Sequence, residues 1–272
     1  MRSSYRYFTC AIRGWTDILG GTLCRMRDAN VTRLLDTLSP EALVLDVGAW
    51  ASPFNRAQWI LDGEPFETRG YYRTFGGPAY QGGEREWFSK ETWIQRDICA
   101  REPWPFTDKQ FDFVICSHTL EDIRDPLWVC SELIRVGKAG YIEVPSRVFE
   151  STLGVERPNT AGLSHHRWLI DIAGDEIRFL QKYHLIHSHW RYNLPKSYLR
   201  SRPPEAAVQW LWWKGDFRFS EVTIHGLANQ ERELERFSEA TYPRSPWRLR
   251  ASDAWRSASS LPLRGWKRLA RL

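Results

Sequence analysis

The chain has 272 residues, of which 42% are apolar, and this suffices for a full hydrophobic core in one domain with additions rather than two equal domains. No stretch is long and apolar enough for a spanning helix, and Arg13 and Asp17 interrupt the apolar residues near the start, so we expect neither a transmembrane segment nor a signal peptide. The net charge of +5 is uneven, because residues 244–272 carry +7 and the remainder −2. The basic character therefore belongs to the tail.

The cysteines give no sign of a disulfide framework. Their number, five, is odd, none forms a C-x-x-C pair, and three lie in apolar stretches typical of a core. They are Cys10, Cys24, Cys99, Cys116 and Cys130. This usage favours a reducing, cytoplasmic compartment.

Five apolar, β-prone segments predict the strands of a parallel sheet. They are residues 42–47, 57–62, 92–97, 111–117 and 139–145. The second segment follows the first too closely for a usual crossover helix, so we expect a loop or a single turn between them. Residues 63–90 are rich in glycine and aromatic side chains without periodicity and predict a long loop.

Helices are predicted on either side of these strands. Leu34, Leu35 and Leu38 have near-helical spacing after Asp28, the predicted N-cap, and Pro40 ends this segment. After residue 117, Asp125 predicts a cap, with Pro126 in the first turn and Gly137 at the end.

The pattern changes after the fifth strand. Residues 166–182 alternate around Gly174-Asp175 and residues 207–226 around Gly215-Asp216, which predicts two antiparallel hairpins. A polar helix covers residues 229–240. The sequence therefore predicts an α/β fold, a Rossmann-like, doubly wound and mostly parallel sheet with antiparallel hairpins after the fifth strand.

We divide the chain into three regions. Residues 1–40 are a helical lead-in, residues 41–242 the domain, and residues 243–272 a basic, flexible tail.

Polar residues follow the predicted strands, at the edge of a parallel sheet where ligands collect. In chain order these are Asp46 and Gly48, then Asp62, then Asp97 with Ile98, then Ser117, His118, Thr119 and Glu121. Gly48 lets the backbone approach a ligand, and an acid such as Asp62 suits the two hydroxyls of a ribose. The set predicts a nucleoside site.

Three blocks carry a family resemblance: VLDVGAWASPFNRAQWILD, the segment from RDICAREPWPF to GYIEVPS, and the later HHRWL. They resemble class I S-adenosylmethionine-dependent methyltransferases, in particular the short bacterial type 11-like form. The resemblance implies that Asp46 and Gly48 lie beside the methionine end of the cofactor and that Asp62 holds the ribose. It further implies that Asp97 binds the adenine amino group, that Ile98 packs on the ring, and that Ser117 and His118 lie near the sulfonium.

Two positions depart from the family pattern. Trp50 stands where relatives have a second glycine, and its ring either fills the methionine pocket or folds aside onto Phe54. Relatives read Leu-Glu-His where this chain reads Leu120-Glu121-Asp122. We predict an S-adenosylmethionine-dependent methyltransferase with His118 and Glu121 closest to the acceptor. The alternative is a catalytically degenerate domain that acts as a binding or membrane-associated module.

Two further interpretations have less support. A nicotinamide dinucleotide site would need the G-x-G-x-x-G spacing, which is absent. A metal site is not predicted, because His184, His187 and His189 share no face of a helix or strand. His165 and His166 either enter a hairpin or reach the acceptor pocket.

The acceptor is expected to be a small molecule or a glycan- or lipid-type, cell-surface-related compound. The basic, weakly amphipathic tail is either solvated or makes peripheral contact with the inner face of the membrane. No nucleic-acid module accompanies it, so no specific nucleic acid is expected.

Overall fold

The computed structural model describes residues 25–71 and 81–244. Within them a six-stranded sheet has the order β3-β2-β1-β4-β5-β8, and a smaller sheet has the order β6-β7-β9. The strands of the main sheet are β1 Val44–Val47, β2 Trp59–Asp62, β3 Trp93–Gln95, β4 Phe113–Ser117, β5 Ala139–Pro145 and β8 Val208–Lys214. Those of the smaller sheet are β6 Trp168–Ala173, β7 Glu176–Gln181 and β9 Arg218–Val222.

The first five strands are parallel, and β8 joins the free edge of β5 in the antiparallel direction. The α/β fold class with its mostly parallel, Rossmann-like sheet is therefore confirmed. The central strands β1 and β4 are buried along nearly their whole length and are mostly apolar, because both faces of the sheet are covered.

Five α-helices lie within the described residues: α1 Asp28–Thr37, α2 Pro126–Val136, α3 Arg147–Glu150, α4 Lys196–Arg200 and α5 Leu227–Thr241. In α2, the Asp125 side chain accepts a hydrogen bond from the Trp128 N–H, with Pro126 in the first turn and Gly137 at the C-cap, as predicted. In α1 the predicted cap is wrong, because Arg27 is the N-cap residue and Asp28 opens the helix. Asp28 instead pairs with Arg25 at 2.8 Å.

The connection from β1 to β2 contains turns, bends and an isolated β-bridge between Phe54 and Gln81 but no helix, as expected. Of the predicted loop 63–90, the described residues form one short 3₁₀ helix at Phe66–Thr68, and residues 72–80 lie outside the described residues.

The first predicted hairpin is confirmed, since β6 and β7 pair antiparallel around Gly174. The second is wrong in its pairing. The chain does turn at Gly215, but β8 pairs with β5, and β9 pairs in parallel with β7. Trp213 and Phe217, on either side of the turn, are both buried in the main core, so the two strands diverge into separate sheets around it.

The boundaries of the predicted regions stay predictions. Residues 1–24 of the lead-in and residues 245–272 of the tail lie outside the described residues. The polar helix predicted at residues 229–240 corresponds to α5. Among the described helices, none has the length and apolar character that crossing a membrane requires.

Candidate active site

The order of the main sheet places its switch point between β1 and β4, because the chain proceeds outward to β3 on one side and to β5 on the other. In such sheets ligands bind at the carboxyl ends of the strands beside this point. A cleft opens there, with about 350 Å³ of empty space including its mouth. It is lined by Arg25, Asp46, Gly48, Ala49, Ala51, Ser52, Gln81, Ser117 and His118.

Asp46 lies near the end of β1 with only 3% of its surface exposed. Its Oδ2 accepts a hydrogen bond of 2.9 Å from the Phe54 N–H, which ties the loop after β1 back onto the strand. Burial raises the pKa of Asp46 to about 7, although the Phe54 hydrogen bond opposes the shift. The cleft thus contains a carboxyl group that an approaching cation would help to ionise.

Gly48 has a φ of +72°, a conformation that side chains rarely adopt. A Cβ at this position would lie 2.3 Å from Oγ1 and Cγ2 of Thr119. The Thr119 hydroxyl donates to the carbonyl oxygens after β1, among them that of Gly48 at 3.2 Å. Glycine is therefore required here for the close packing of the β1 and β4 loops, which together form the cleft wall.

Trp50 turns its indole out of the cleft, toward the segment after β2. Its Nε1 donates to Thr68 Oγ1 at 2.9 Å, and its ring stacks on Tyr71 with centroids 4.8 Å apart. It is not among the residues that line the cleft. Of the two orientations considered from the sequence, the ring folds aside, but onto Tyr71 rather than Phe54.

Asp62 ends β2 and is buried. Its Oδ2 accepts from the Trp50 N–H and its Oδ1 from the Glu64 N–H, each at 2.8 Å. Burial raises the pKa of Asp62 to about 6, although these two hydrogen bonds lower it. The carboxylate therefore braces the loops after β1 and β2, and a ribose contact at this residue stays a prediction.

Ser117 and His118 line the cleft at the end of β4. The Ser117 Oγ is buried and has no hydrogen-bond partner among the described residues. His118 has a φ of +51°, which is rare for a residue other than glycine and is typical of functional sites. Its N–H donates to the Glu143 carbonyl at 2.8 Å, which fixes this conformation at the strand end.

The imidazole of His118 lies between two buried glutamates. Its Nε2 is 3.2 Å from Glu143 Oε1, and its Nδ1 is 3.7 Å from Glu121 Oε1. Burial lowers the pKa of His118, but the hydrogen bonds and charges of Glu121 and Glu143 outweigh burial and raise it to about 10. His118 is therefore an imidazolium at neutral pH, while Oε2 of Glu121 is buried without a hydrogen-bond partner among the described residues.

Glu143, on β5, anchors this group and was missed in the sequence, where it is a single acid in an apolar strand. It is fully buried and accepts hydrogen bonds from the Tyr141 hydroxyl and from Asn30 Nδ2, the latter at 3.0 Å. The Arg27 N–H donates to its Oε1 at 3.1 Å. Burial raises the pKa of Glu143, but the His118 imidazolium and these donors lower it below its ordinary value.

Asp97 and Ile98 lie apart from the residues that line the cleft. Asp97 is half-exposed, pairs with Arg124 at 2.6 Å and accepts from the Cys99 N–H. The hydrogen bond from Arg124 lowers the pKa of Asp97. Ile98 is buried in the main core, and its carbonyl accepts from the Trp104 indole. Their predicted adenine contacts stay predictions.

Arg25 and Gln81 also line the cleft without having been predicted. Gln81 accepts from the Met26 N–H at 2.9 Å and donates to the Ser52 carbonyl at 3.1 Å, so it ties the entry to α1 onto the loop after β1. Neither residue lies in a motif, and only the folded chain brings them to the switch point.

The comparison with known families gives one match. Residues 82–142 match the model of the methyltransferase domain family, a segment that runs from the end of the long loop through β3, β4 and α2 into β5. It contains Asp97, Ser117, His118 and Glu121, whereas Asp46 and Asp62 precede it. No curated protein matches the chain.

Several solved structures are similar at low identity. The YcgJ protein of Bacillus subtilis is 18% identical over 44% of this chain and 52% of its own, with a TM-score of 0.31. A SAM-dependent methyltransferase of Methanosarcina mazei is 14% identical over 52% and 85%, with a TM-score of 0.32. An S-adenosylmethionine-dependent methyltransferase of Mesorhizobium loti is 12% identical over 75% and 78%, with a TM-score of 0.30.

The chain spans about half the length of the first structures it matches. The assignment therefore depends on the matched segment and on the strand order described above. Together these show a mostly parallel α/β sheet in which residues 82–142 are similar to the methyltransferase domain family.

Proposed function

We propose that the protein transfers a methyl group from S-adenosylmethionine to an acceptor bound at the carboxyl edge of the main sheet. The observation that carries the proposal is the position of the cleft, at the switch point between β1 and β4. The matched methyltransferase segment supports it, since it supplies one wall of the cleft through Ser117 and His118.

The residues of the cleft fit the amino-acid end of this cofactor. Ser117 offers a buried hydroxyl without a partner among the described residues, and Asp46 offers a carboxyl group for an ammonium. Arg25 also lines the cleft, and its guanidinium pairs with the exposed Asp28 at 2.8 Å.

The bound cofactor would supply both the methyl group and its leaving group, so the protein needs no covalent nucleophile. The task of the chain is to hold cofactor and acceptor in line. The rigid packing of Gly48 against Thr119 and the fixed backbone of His118 serve this purpose on the two walls of the cleft.

In this proposal Glu121, rather than His118, is the general base that removes a proton from the acceptor. An imidazolium held by two carboxylates has no lone pair to accept a proton, whereas Oε2 of Glu121 is buried without a hydrogen-bond partner among the described residues. His118 would then hold the Glu121 side chain in place through the contact of 3.7 Å.

The acceptor class also stays a proposal. A small molecule or a cell-surface-related glycan or lipid fits the open mouth of the cleft, and peripheral membrane contact through residues 243–272 would be consistent with such an acceptor. The alternative, a domain that keeps the fold without catalysis, is favoured by Asp62, whose two carboxylate oxygens both accept backbone hydrogen bonds.

Calorimetric titration of S-adenosylhomocysteine into the full chain tests the proposal. We expect micromolar binding, about −8 kcal/mol, and a loss of at least about tenfold in Asp46→Ala. Arg218→Ala, which removes an exposed ion pair on β9, is the matched control and should bind like the wild type. Absence of wild-type binding would favour the degenerate alternative.

A further inference from the structure

A second group of polar side chains includes one residue of the loop after β4. It consists of Asp122, His165 and His166, whose candidate ligand atoms lie within 4.8 Å of one another. Asp122 follows Glu121 directly, and the two histidines precede β6, so the fold joins segments that are far apart in sequence. None of the three residues lines the cleft.

The ligand atoms of the group are somewhat farther apart than they would be around a bound metal ion. Asp122 Oδ1 is 3.6 Å from His166 Nε2 and 3.9 Å from His165 Nε2. Ligands of tetrahedral zinc at bond lengths of about 2.0–2.1 Å lie about 3.3 Å apart. The two distances from Asp122 would contract by about 0.6 Å or less, and the distance between the two histidine nitrogens, which is within 4.8 Å, by up to about 1.5 Å.

An independent observation concerns Asp122 Oδ1, the oxygen toward which both imidazoles point. It is buried and has no hydrogen-bond partner among the described residues. A buried carboxylate oxygen without a donor is costly and calls for an explanation. A cation between this oxygen and the two imidazole nitrogens would satisfy it.

The surroundings of His166 orient it as a ligand. Its Nδ1 is 2.7 Å from Glu150 Oε1, which leaves Nε2 directed at Asp122. Glu150 is held in turn by the buried Lys182, which also donates to the Leu163 carbonyl at 2.7 Å. A carboxylate on the second ring nitrogen is the arrangement that fixes metal-binding histidines.

We propose that Asp122, His165 and His166 bind a zinc ion through Oδ1 and the two Nε2 atoms. The side chains of Asp122 and His165 are 41% and 37% exposed, so the fourth position faces solvent and can take water or an oxygen ligand of a small molecule. The site does not depend on cofactor binding. It lies beside the cleft because Glu121, next to Asp122, contacts His118.

The experiment uses the full chain after treatment with a chelator. Zinc is titrated against a competing chromophoric chelator, and cobalt(II) is added separately for its absorption spectrum. We expect one zinc ion per chain with submicromolar affinity and the cobalt bands of a four- or five-coordinate site with nitrogen and oxygen ligands.

Three variants locate the ion. Asp122→Asn and His165→Ala, both at partly exposed side chains, should weaken zinc binding by at least about 100-fold, since loss of an outer partner alone costs 10- to 100-fold. Their melting temperatures without metal show whether the fold is kept. His184→Ala removes an exposed histidine of the nearby 3₁₀ helix His184–His187 and should bind zinc like the wild type.

Several outcomes would overturn the proposal. One is absence of wild-type binding at micromolar free zinc, which would leave the group as an ion-pair network only. Another is unchanged affinity in folded Asp122→Asn and His165→Ala. A third is loss of binding in His184→Ala, which would place the zinc on the neighbouring histidines instead.

Discussion

Replacing Asp46 by asparagine should change how stability depends on pH. The wild-type carboxyl group is buried, and burial raises its pKa from an ordinary value of 3.8 to about 7 in the folded protein. Asparagine keeps an oxygen that can accept the Phe54 N–H but has no proton to lose. The difference between the two proteins therefore isolates the ionisation of Asp46.

The direction in which stability changes with pH follows from proton binding to Asp46. Between pH 3.8 and about 7 the folded state holds a proton that the unfolded state has lost, so raising the pH through this window destabilises the wild type. A shift of about three units corresponds to about 4 kcal/mol. Relative to Asp46→Asn, the wild type should lose this amount between pH 4 and pH 7 and nothing further above about pH 8.

Urea unfolding of both proteins at half-unit steps from pH 4 to pH 8.5, followed by tryptophan fluorescence, measures the difference. Asp97→Asn is the control, because the hydrogen bond from Arg124 lowers the pKa of Asp97 below its ordinary value of 3.8. The contribution of its ionisation is therefore complete above about pH 4.5, and the difference between wild type and Asp97→Asn should stay nearly flat from there to about pH 8.5. A difference between wild type and Asp46→Asn that stays flat across this range would refute the placement of a buried carboxyl group in the cleft.

Three further substitutions test the packing of the site. Gly48→Ala should cost about 3 kcal/mol in urea unfolding, because the φ of +72° and the Thr119 side chain both oppose a Cβ, and a loss under about 1 kcal/mol would contradict this. Trp50→Gly should leave S-adenosylhomocysteine affinity within about threefold in calorimetry, since the indole lies outside the cleft, while stability falls by about 2 kcal/mol. Glu143→Gln should lower the free energy of unfolding by about 3–5 kcal/mol at pH 7 in chemical denaturation, because it leaves the His118 imidazolium with one carboxylate. A change in unfolding free energy close to zero would show that His118 is uncharged.

The parallel half of the fold could be predicted from sequence because its signals are local. Each of the first five strands is a short apolar run, and the cap and stop residues of α2, Asp125 and Gly137, lie at its ends. The pairing of β8 and β9 could not be predicted in this way. Alternation shows that a segment is a strand, but the choice of partner was decided by burial of Trp213 and Phe217 and by the free edge of β5.

In the candidate site, too, some residues could be predicted from local sequence signals and others could not. Asp46, Gly48, Ser117 and His118 follow strands that meet at the switch point, so sheet topology alone predicts that they converge. Glu143 was missed because it lies within a strand rather than after one. The approach of Asp122 to His165 and His166 depends on how the smaller sheet packs beside the main one, which no local pattern encodes.

The central claim is that the cleft between the β1 and β4 loops binds the cofactor. Hydrogen–deuterium exchange of the full chain with and without saturating S-adenosylhomocysteine tests it directly, because it reports where the ligand slows amide exchange. The account predicts slower exchange in residues 48–52 and 117–121. Unchanged exchange in both segments, with protection elsewhere, would contradict it.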